Sequence, residues 1–228
     1  LKKQARSPQF KPVSLGVKAS MTLHNAPRTF ESRNVVARVE GSDPKLKDEW
    51  VIYAAHWDHL GIGQPVNGDR IYHGAIDNAT GVGALIEIGR AFARMQTGQK
   101  RSILLFSPTA EEAYVMGSSY YALHPLYPLA KTLGVINMDI LNVRCVAKDV
   151  IITGFGQSDL DDYAREAAVT QGRVVKPDPL PESGFFYRSD HFPFAKQGVP
   201  GIWSWGGTDC VGKPPEWGRQ ARDAYDRD

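Results

Sequence analysis

The sequence predicts an α/β sandwich built on a mixed, largely parallel central sheet. Three observations carry that expectation. Continuous apolar runs at 50–55 and 103–106 have the length and composition of buried strands. Segments with apolar residues at helical spacing, near 78–94 and 159–171, fall between such runs. The composition is that of an ordinary globular chain: of 228 residues, 42% are hydrophobic and 23% charged, which excludes a disordered or fibrous protein.

Taken in order, the first thirty residues are polar and punctuated by Pro8, Pro12, Gly16 and Pro27. Val13, Leu15, Val17, Ala19 and Met21 alternate as an edge strand would. Residues 34–39 read as a strand, closed by the turn Gly41-Ser42-Asp43-Pro44. The run 50–55 is a buried central strand, and a glycine-rich loop occupies 56–75. A helix follows from about 78 to 94, with Val82, Leu85, Ile86, Gly89, Phe92 and Ala93 on one face and Asp77 or Asn78 as its N-cap. A strand at 102–106, a helix through 118–122 and strands at 133–138 and 150–153 continue the alternation. The helix at 159–171 is closed by Gly172, a short helix covers 190–197, and a last strand spans 201–205.

The same sequence excludes several functions. Lys and Arg total 27 against 25 Asp and Glu, a balance that makes no case for nucleic acid or an anionic membrane as partner. No apolar run approaches the roughly 18 residues of a membrane span. The two cysteines, Cys145 and Cys210, form no CxxC pair, so a disulfide framework and a thiolate metal site are both excluded; whether the two pair with each other stays open. There is no Gly-x-Ser-x-Gly elbow, and the glycines at 61–63 and 154–156 lack the context of a dinucleotide loop. The tripeptide Asn78-Ala79-Thr80 matches a glycosylation sequon by chance, since it opens a helix.

In open α/β sheets, ligands gather beyond the carboxyl ends of the strands. His56 and Asp58 follow the run 50–55, Glu111 and Glu112 follow 102–106, Asp139 follows 133–138, and Asp77 precedes the helix near 78. One such residue is ordinarily a cap or a turn former. Four segments delivering them to one end of a sheet make a cluster of like charges, which is costly without a cation. Histidine with carboxylates and no cysteine suits zinc or a similar divalent ion. In His56-Trp57-Asp58 the Asp can hold the imidazole by its other ring nitrogen. Asp77 can bridge two metals, and of the adjacent pair Glu111-Glu112 one can bind metal while the other faces a substrate water. His24, His59, His73 and His124 have no constellation of their own; His59 and His73 lie in the loop beside the site and could line the cleft, although histidines there are more often surface residues.

His56-Trp57-Asp58, Gly74-Ala75-Ile76-Asp77-Asn78-Ala79-Thr80-Gly81, Thr109-Ala110-Glu111-Glu112, Ile136-Asn137-Met138-Asp139 and Ser189-Asp190-His191, in that order, resemble the M28 family of zinc peptidases. The family includes bacterial leucyl aminopeptidases and glutaminyl cyclases. The resemblance implies a three-layer αβα sandwich of the zinc-exopeptidase type over 34–228. It also implies that 1–33 is a connecting segment, the return from an inserted protease-associated domain. Carried over residue by residue, it places His56 and Asp139 on one zinc, Asp77 between two, and Glu112 on the second. Asp58 then orients His56, and Glu111 is the general base for a water attacking the N-terminal peptide bond of a peptide or protein. Ile140, Phe186, Trp203 and Trp205 are expected to wall an apolar pocket for the first residue, and Asp190 to lie near the site. The family also implies a secreted or periplasmic enzyme.

Two departures from the family pattern matter. Tyr114 stands where many relatives have glycine. The family's last zinc ligand, a histidine in a Tyr-His segment, is not met before Asp228. The chain is therefore expected to be a C-terminally incomplete domain that binds one metal well and a second weakly, with His191 a substitute only if it leaves its place beside Asp190. A glutaminyl cyclase with one zinc and a catalytically silent binding domain are the competing readings; a silent domain has no need of Glu111 beside a metal.

Overall fold

The computed structural model describes residues 4–27 and 29–225. The chain divides into two compact units, Leu1–Glu31 and Ser32–Asp228. In the first, a 3₁₀ turn at Gln4–Arg6 is followed by irregular chain. The alternating edge strand expected over Val13–Met21 is not formed. Val13, Leu15, Val17 and Met21 are 62–79% exposed, so the alternation has no face to bury and no neighbouring strand to pair with among the described residues.

The second unit is the expected sandwich. Its strands are β1 (Val35–Val39), β2 (Trp50–Ala54), β3 (Gly61–Val66), β4 (Asp69–Tyr72), β5 (Ser102–Ser107), β6 (Thr132–Asn137), β7 (Asp149–Thr153), β8 (Val174–Pro177) and β9 (Gly201–Gly206). Its α-helices are α1 (Ala79–Ala93), α2 (Met116–Leu123), α3 (Leu160–Thr170), α4 (His191–Ala195) and α5 (Trp217–Tyr225). Seven strands form the main sheet in the order β1-β5-β2-β6-β9-β7-β8. β5, β2, β6 and β9 are mutually parallel, β1 is antiparallel to β5, and β7 is antiparallel to β9.

Period-two alternation sends the central strands' side chains to two cores. Trp50, Ile52 and Ala54 with Leu104 and Phe106 pack against Tyr121 of α2 and Phe194 of α4 on one face. Tyr53 and Leu105 pack with Val82, Leu85 and Ile88 of α1 on the other, where Leu160, Ala164 and Ala168 of α3 also lie over Ile136 and Ile152. Helix α3 ends as the sequence predicts. Gly172 has φ +65°, its N–H reaches Val169 O, and the Arg173 N–H reaches Ala168 O, the paired bonds of a Schellman motif.

The stretch 56–75, expected to be loop throughout, contains the hairpin β3–β4. Asn67 and Gly68 both have positive φ, as its two-residue turn requires. Cys145 and Cys210 form a disulfide that ties the chain after β6 to the chain after β9.

Candidate metal centre

β2 lies between β5 and β6, so the chain leaves it toward β5 and later returns to its other side. That reversal opens a crevice at the carboxyl ends of the three strands. Into it come His56, the loop after β5 and Asp139.

His56 is 1% exposed. Its Nδ1–H donates to the Asp58 backbone carbonyl at 3.1 Å, which turns Nε2 toward two carboxylates. Nε2 lies 3.1 Å from Asp77 Oδ1 and 3.2 Å from Asp139 Oδ1. The Asp58 carboxylate is 3.7 Å from His56 Nδ1 and has a second task. Its oxygens accept the backbone N–H groups of Glu111, at 3.1 Å, and Glu112, at 3.3 Å. Asp58 thus holds the imidazole chiefly through its main chain and the glutamate loop through its side chain.

Asp77 faces the crevice because its neighbour takes the cap. The Asn78 side chain accepts the Gly81 N–H at 3.1 Å and donates to Met138 O at 2.9 Å, tying the start of α1 to the end of β6. That carboxamide is buried and fully used, which fits the chance reading of the sequon. The loop bearing Glu111 and Glu112 is bent by residues in the left-handed region, Ala110, Tyr114 and Val115, with φ of 54°, 66° and 52°. Non-glycine residues pay for that conformation with strain, and such strain concentrates at functional sites. Asn34 braces the loop's base, accepting the Thr109 N–H at 3.1 Å and donating to Gly117 O at 2.8 Å.

Asp139 is held on every side. The Ser189 hydroxyl donates to its Oδ2 at 2.7 Å and itself accepts from Asn137 Nδ2 at 2.6 Å. The Trp203 indole N–H donates to its backbone carbonyl at 2.9 Å. Oδ1 is left pointing at His56.

Two donor groups result, His56 with Glu111 and Asp139, and His59 with Asp77 and Glu112; within each, the ligating atoms lie within 4.8 Å of one another. The structure therefore brings together His56, Asp58, Asp77, Glu111, Glu112 and Asp139. It adds His59 to the donor atoms, a loop residue that the sequence reading placed beside the cleft without a role. The closure of the β3–β4 hairpin beside it was the signal that would have placed it near Asp77.

Burial drives the carboxyls of Glu111, Glu112 and Asp190 upward. It raises the Glu111 carboxyl to about 9, with the nearby charges of Asp190 and Asp139 adding to it. Asp190, 0% exposed, is raised to about 7 chiefly by burial. Glu112 is raised by burial and by Asp77. Burial alone would push the His56 imidazole down, but its hydrogen bonds to Asp139 and Asp77 outweigh that and carry it to about 12.

The remaining expected residues separate into two places. Ile140, at φ 54°, and Trp205 line one small cavity together with Cys145 and Cys210. Phe186 and Trp203 instead flank His191, with ring centroids 4.9 and 6.3 Å from its own. His191 is 0% exposed, burial lowers its pKa to about 4, and it joins neither donor group. It lies packed against those rings, outside both donor groups.

Comparison with known proteins agrees with this geometry. The chain is 27% identical over 201 residues to the probable leucine aminopeptidase 2 of Aspergillus oryzae, covering 85% of this chain and 38% of that protein. Its fold superposes on that of BSAP, a zinc aminopeptidase from Bacillus subtilis, with a TM-score of 0.60 at 20% identity, covering 83% of this chain and 47% of the other. It also superposes on the Porphyromonas gingivalis glutaminyl cyclase with a TM-score of 0.55 at 20% identity, covering 81% and 67%. The chain spans between 10% and 38% of the length of the curated relatives it matches. The sequence model of peptidase family M28 matches residues 34–227, which is the whole unit that builds the crevice. The chain belongs to peptidase family M28.

Proposed function

We propose that this chain carries the metal-binding core of a zinc-dependent aminopeptidase, which hydrolyses the first peptide bond of peptides or proteins. The observation that carries the reading is the junction of the two donor groups, where His56 Nε2 lies 3.1 Å from Asp77 Oδ1, with Glu111 at the edge.

The residues fit the metal. His59 Nδ1 faces Glu112 Oε1 at 2.8 Å and Asp77 Oδ1 faces His56 Nε2 at 3.1 Å, so imidazoles and carboxylates converge on one place. Carboxylates gathered this closely are costly without a cation. His56 and Asp139 would hold one ion, Asp77 would bridge, and Glu112 would hold the second. Zinc bound there supplies polarisation of the scissile carbonyl and acidification of water.

Glu111 accepts the proton of the attacking water and returns it to the leaving amine. Its high proton affinity here comes first from burial and then from the charges of Asp190 and Asp139, and a bound cation would offset the second part. Asp58 fixes the position of Glu111 through the main chain. The site's remaining carboxylate character, including Asp190, suits a substrate's N-terminal ammonium. Ile140 and Trp205 meet at a cavity of about 10 Å³, room for one water and too small for a substrate side chain. The Cys145–Cys210 disulfide supports a secreted or periplasmic location, since such bonds persist in oxidising compartments.

The glutaminyl cyclase fold neighbour keeps a second chemistry in view. Leucine p-nitroanilide and a peptide with N-terminal glutamine, offered to the zinc-loaded protein, separate the two. Release of nitroaniline supports the aminopeptidase; loss of ammonia from the glutamine peptide alone refutes it.

A further inference from the structure

We propose that Tyr114 is a specificity-determining residue: its ring receives the second residue of a peptide substrate, so that peptides with an aromatic or apolar residue after the scissile bond are favoured. The proposal rests on the aminopeptidase reading above and deepens it, since it names the class of peptide the crevice takes.

Exposure alone would not single out this tyrosine, because isolated apolar side chains are common on protein surfaces. Three further features do. Its backbone lies in the left-handed region at φ 66°, next to Val115 at 52°. A Cβ is disfavoured there, and a glycine would suit the loop better. The side chain adds nothing to the packing: Tyr114 is 95% exposed, and among the described residues its ring and hydroxyl have no partner. The ring is also carried on a fixed support beside the donor groups.

That support is built by the hydrogen bonds of the glutamate loop. The N–H groups of Gly117, Met116 and Val115 donate in turn to the carbonyls of Thr109, Ala110 and Glu111, at 3.0, 3.0 and 2.8 Å. These nested bonds close the loop down to a tip of Glu112, Ala113 and Tyr114. Asp58 holds the entry to the tip by accepting the N–H groups of Glu111 and Glu112. Tyr114 follows Glu112 by two residues, so its Cα lies within about 7 Å of that of Glu112. Glu112 in turn meets His59 of the opposite rim, Oε1 to Nδ1 at 2.8 Å. Leu60, next to His59, is more than half exposed. Apolar surface continues from Tyr114 along α2, where Met116, Tyr120 and Leu123 are exposed at the four- and three-residue spacing of one helix face. A peptide whose first residue sits at the donor groups therefore leaves the crevice between apolar rims. The ring of Tyr114 offers its next side chain a face to stack on without giving up any contact of its own.

The test compares Leu-Phe-Gly with Leu-Gly-Gly as substrates of the zinc-loaded full chain. Calorimetry on uncleavable analogues of both, in which the scissile carbonyl is a methylene, measures affinity independently of turnover. The variants are Tyr114→Gly, Tyr114→Phe and, as a control on another exposed tyrosine, Tyr163→Ala of α3. The parent should prefer the phenylalanine peptide in kcat/KM and in analogue affinity. Tyr114→Gly should lower that preference roughly 3–10-fold, the worth of one aromatic pairing. The loss should fall in KM and in analogue affinity rather than in kcat. Tyr114→Phe and Tyr163→Ala should keep the preference, and the urea midpoint of Tyr114→Gly should not fall. A preference unchanged in Tyr114→Gly, lost equally in Tyr114→Phe, or accompanied by a lowered midpoint in Tyr114→Gly overturns the proposal. A parent that binds and cleaves both peptides equally overturns it too and leaves the aminopeptidase reading standing. A parent that cleaves neither peptide and binds neither analogue refutes that reading itself, and the proposal with it.

Discussion

Gly81 and Gly83 sit one residue apart near the start of α1, yet alanine should act on them in opposite directions. A Cβ on Gly81 would stand 2.4 Å from Met138 O and 2.4 Å from Asn78 Oδ1, about 1 Å inside the 3.4 Å at which ordinary contact begins. Neither oxygen can retreat cheaply. Met138 O belongs to the chain end that becomes Asp139, and Asn78 Oδ1 is the helix cap. The start of α1 must instead lift from the end of β6 by about that 1 Å. Overpacking costs about 1–3 kcal/mol, the strained cap bond adds about 1, and the helix gains about 1 from losing glycine. The net expectation for Gly81→Ala is a loss of about 2 kcal/mol. The lift also carries Asp77 away from His56, so zinc affinity should fall roughly 10–100-fold. At Gly83 nothing lies within 4 Å, and Gly83→Ala should stabilise by up to about 1 kcal/mol with metal affinity unchanged. Urea denaturation and chelator competition on both variants provide the assay. Equal effects of the two substitutions, or a Gly81→Ala protein that binds zinc like the parent, would refute the reasoning.

Other expectations follow from the same contacts. Glu111→Gln should keep its metals and lose about 10²–10⁴-fold in kcat, checked by metal counting beside turnover of leucine p-nitroanilide; near-normal rates would remove Glu111 as the base. Ser189→Ala leaves Asp139 Oδ2 and Asn137 Nδ2 without their shared partner and should weaken zinc binding about 10–100-fold, read by chelator competition. His191 titrates near 4 when folded and near 6.5 when unfolded, so the unfolded chain binds more protons between those values. Its contribution to stability is therefore full above pH 6.5 and declines as pH falls toward 4, by up to about 1.4 kcal/mol per unit; His191→Leu should flatten that part of the stability–pH curve. Cys145 and Cys210 are 65 residues apart, and replacing both with alanine should cost roughly 2–4 kcal/mol in denaturant; an unchanged midpoint would show that the loops hold together without the bond.

The sheet was legible because its central strands are buried on both faces. Runs such as Trp-Val-Ile-Tyr-Ala leave no polar residue for solvent, and few other structures tolerate that. The site was legible because the polar residues that interrupt those runs fall at strand ends, where a parallel sheet concentrates its ligands. The hairpin β3–β4 was harder to see, since Ile62, Val66 and Ile71 are all more than half exposed and show no buried alternation. Its Asn67-Gly68 turn was the one local sign. The apparent strand at Val13–Met21 failed for the converse reason, a local pattern with no burial behind it.

The sequence by itself determined the fold class, the central strands and the six residues His56, Asp58, Asp77, Glu111, Glu112 and Asp139 that the structure brings to the crevice. Each of those follows from neighbours in the chain: an apolar run, a cap, a turn. Only the tertiary structure decided which atom faces which. It gave the Asp58 carboxylate to the glutamate loop, paired Cys145 with Cys210, buried His191 outside both donor groups and drew His59 toward Asp77 and Glu112. Those outcomes depend on where distant segments come together in space, on the hairpin's closure and the β6–α1 contact, and residue spacing along one chain does not encode a distance across a crevice.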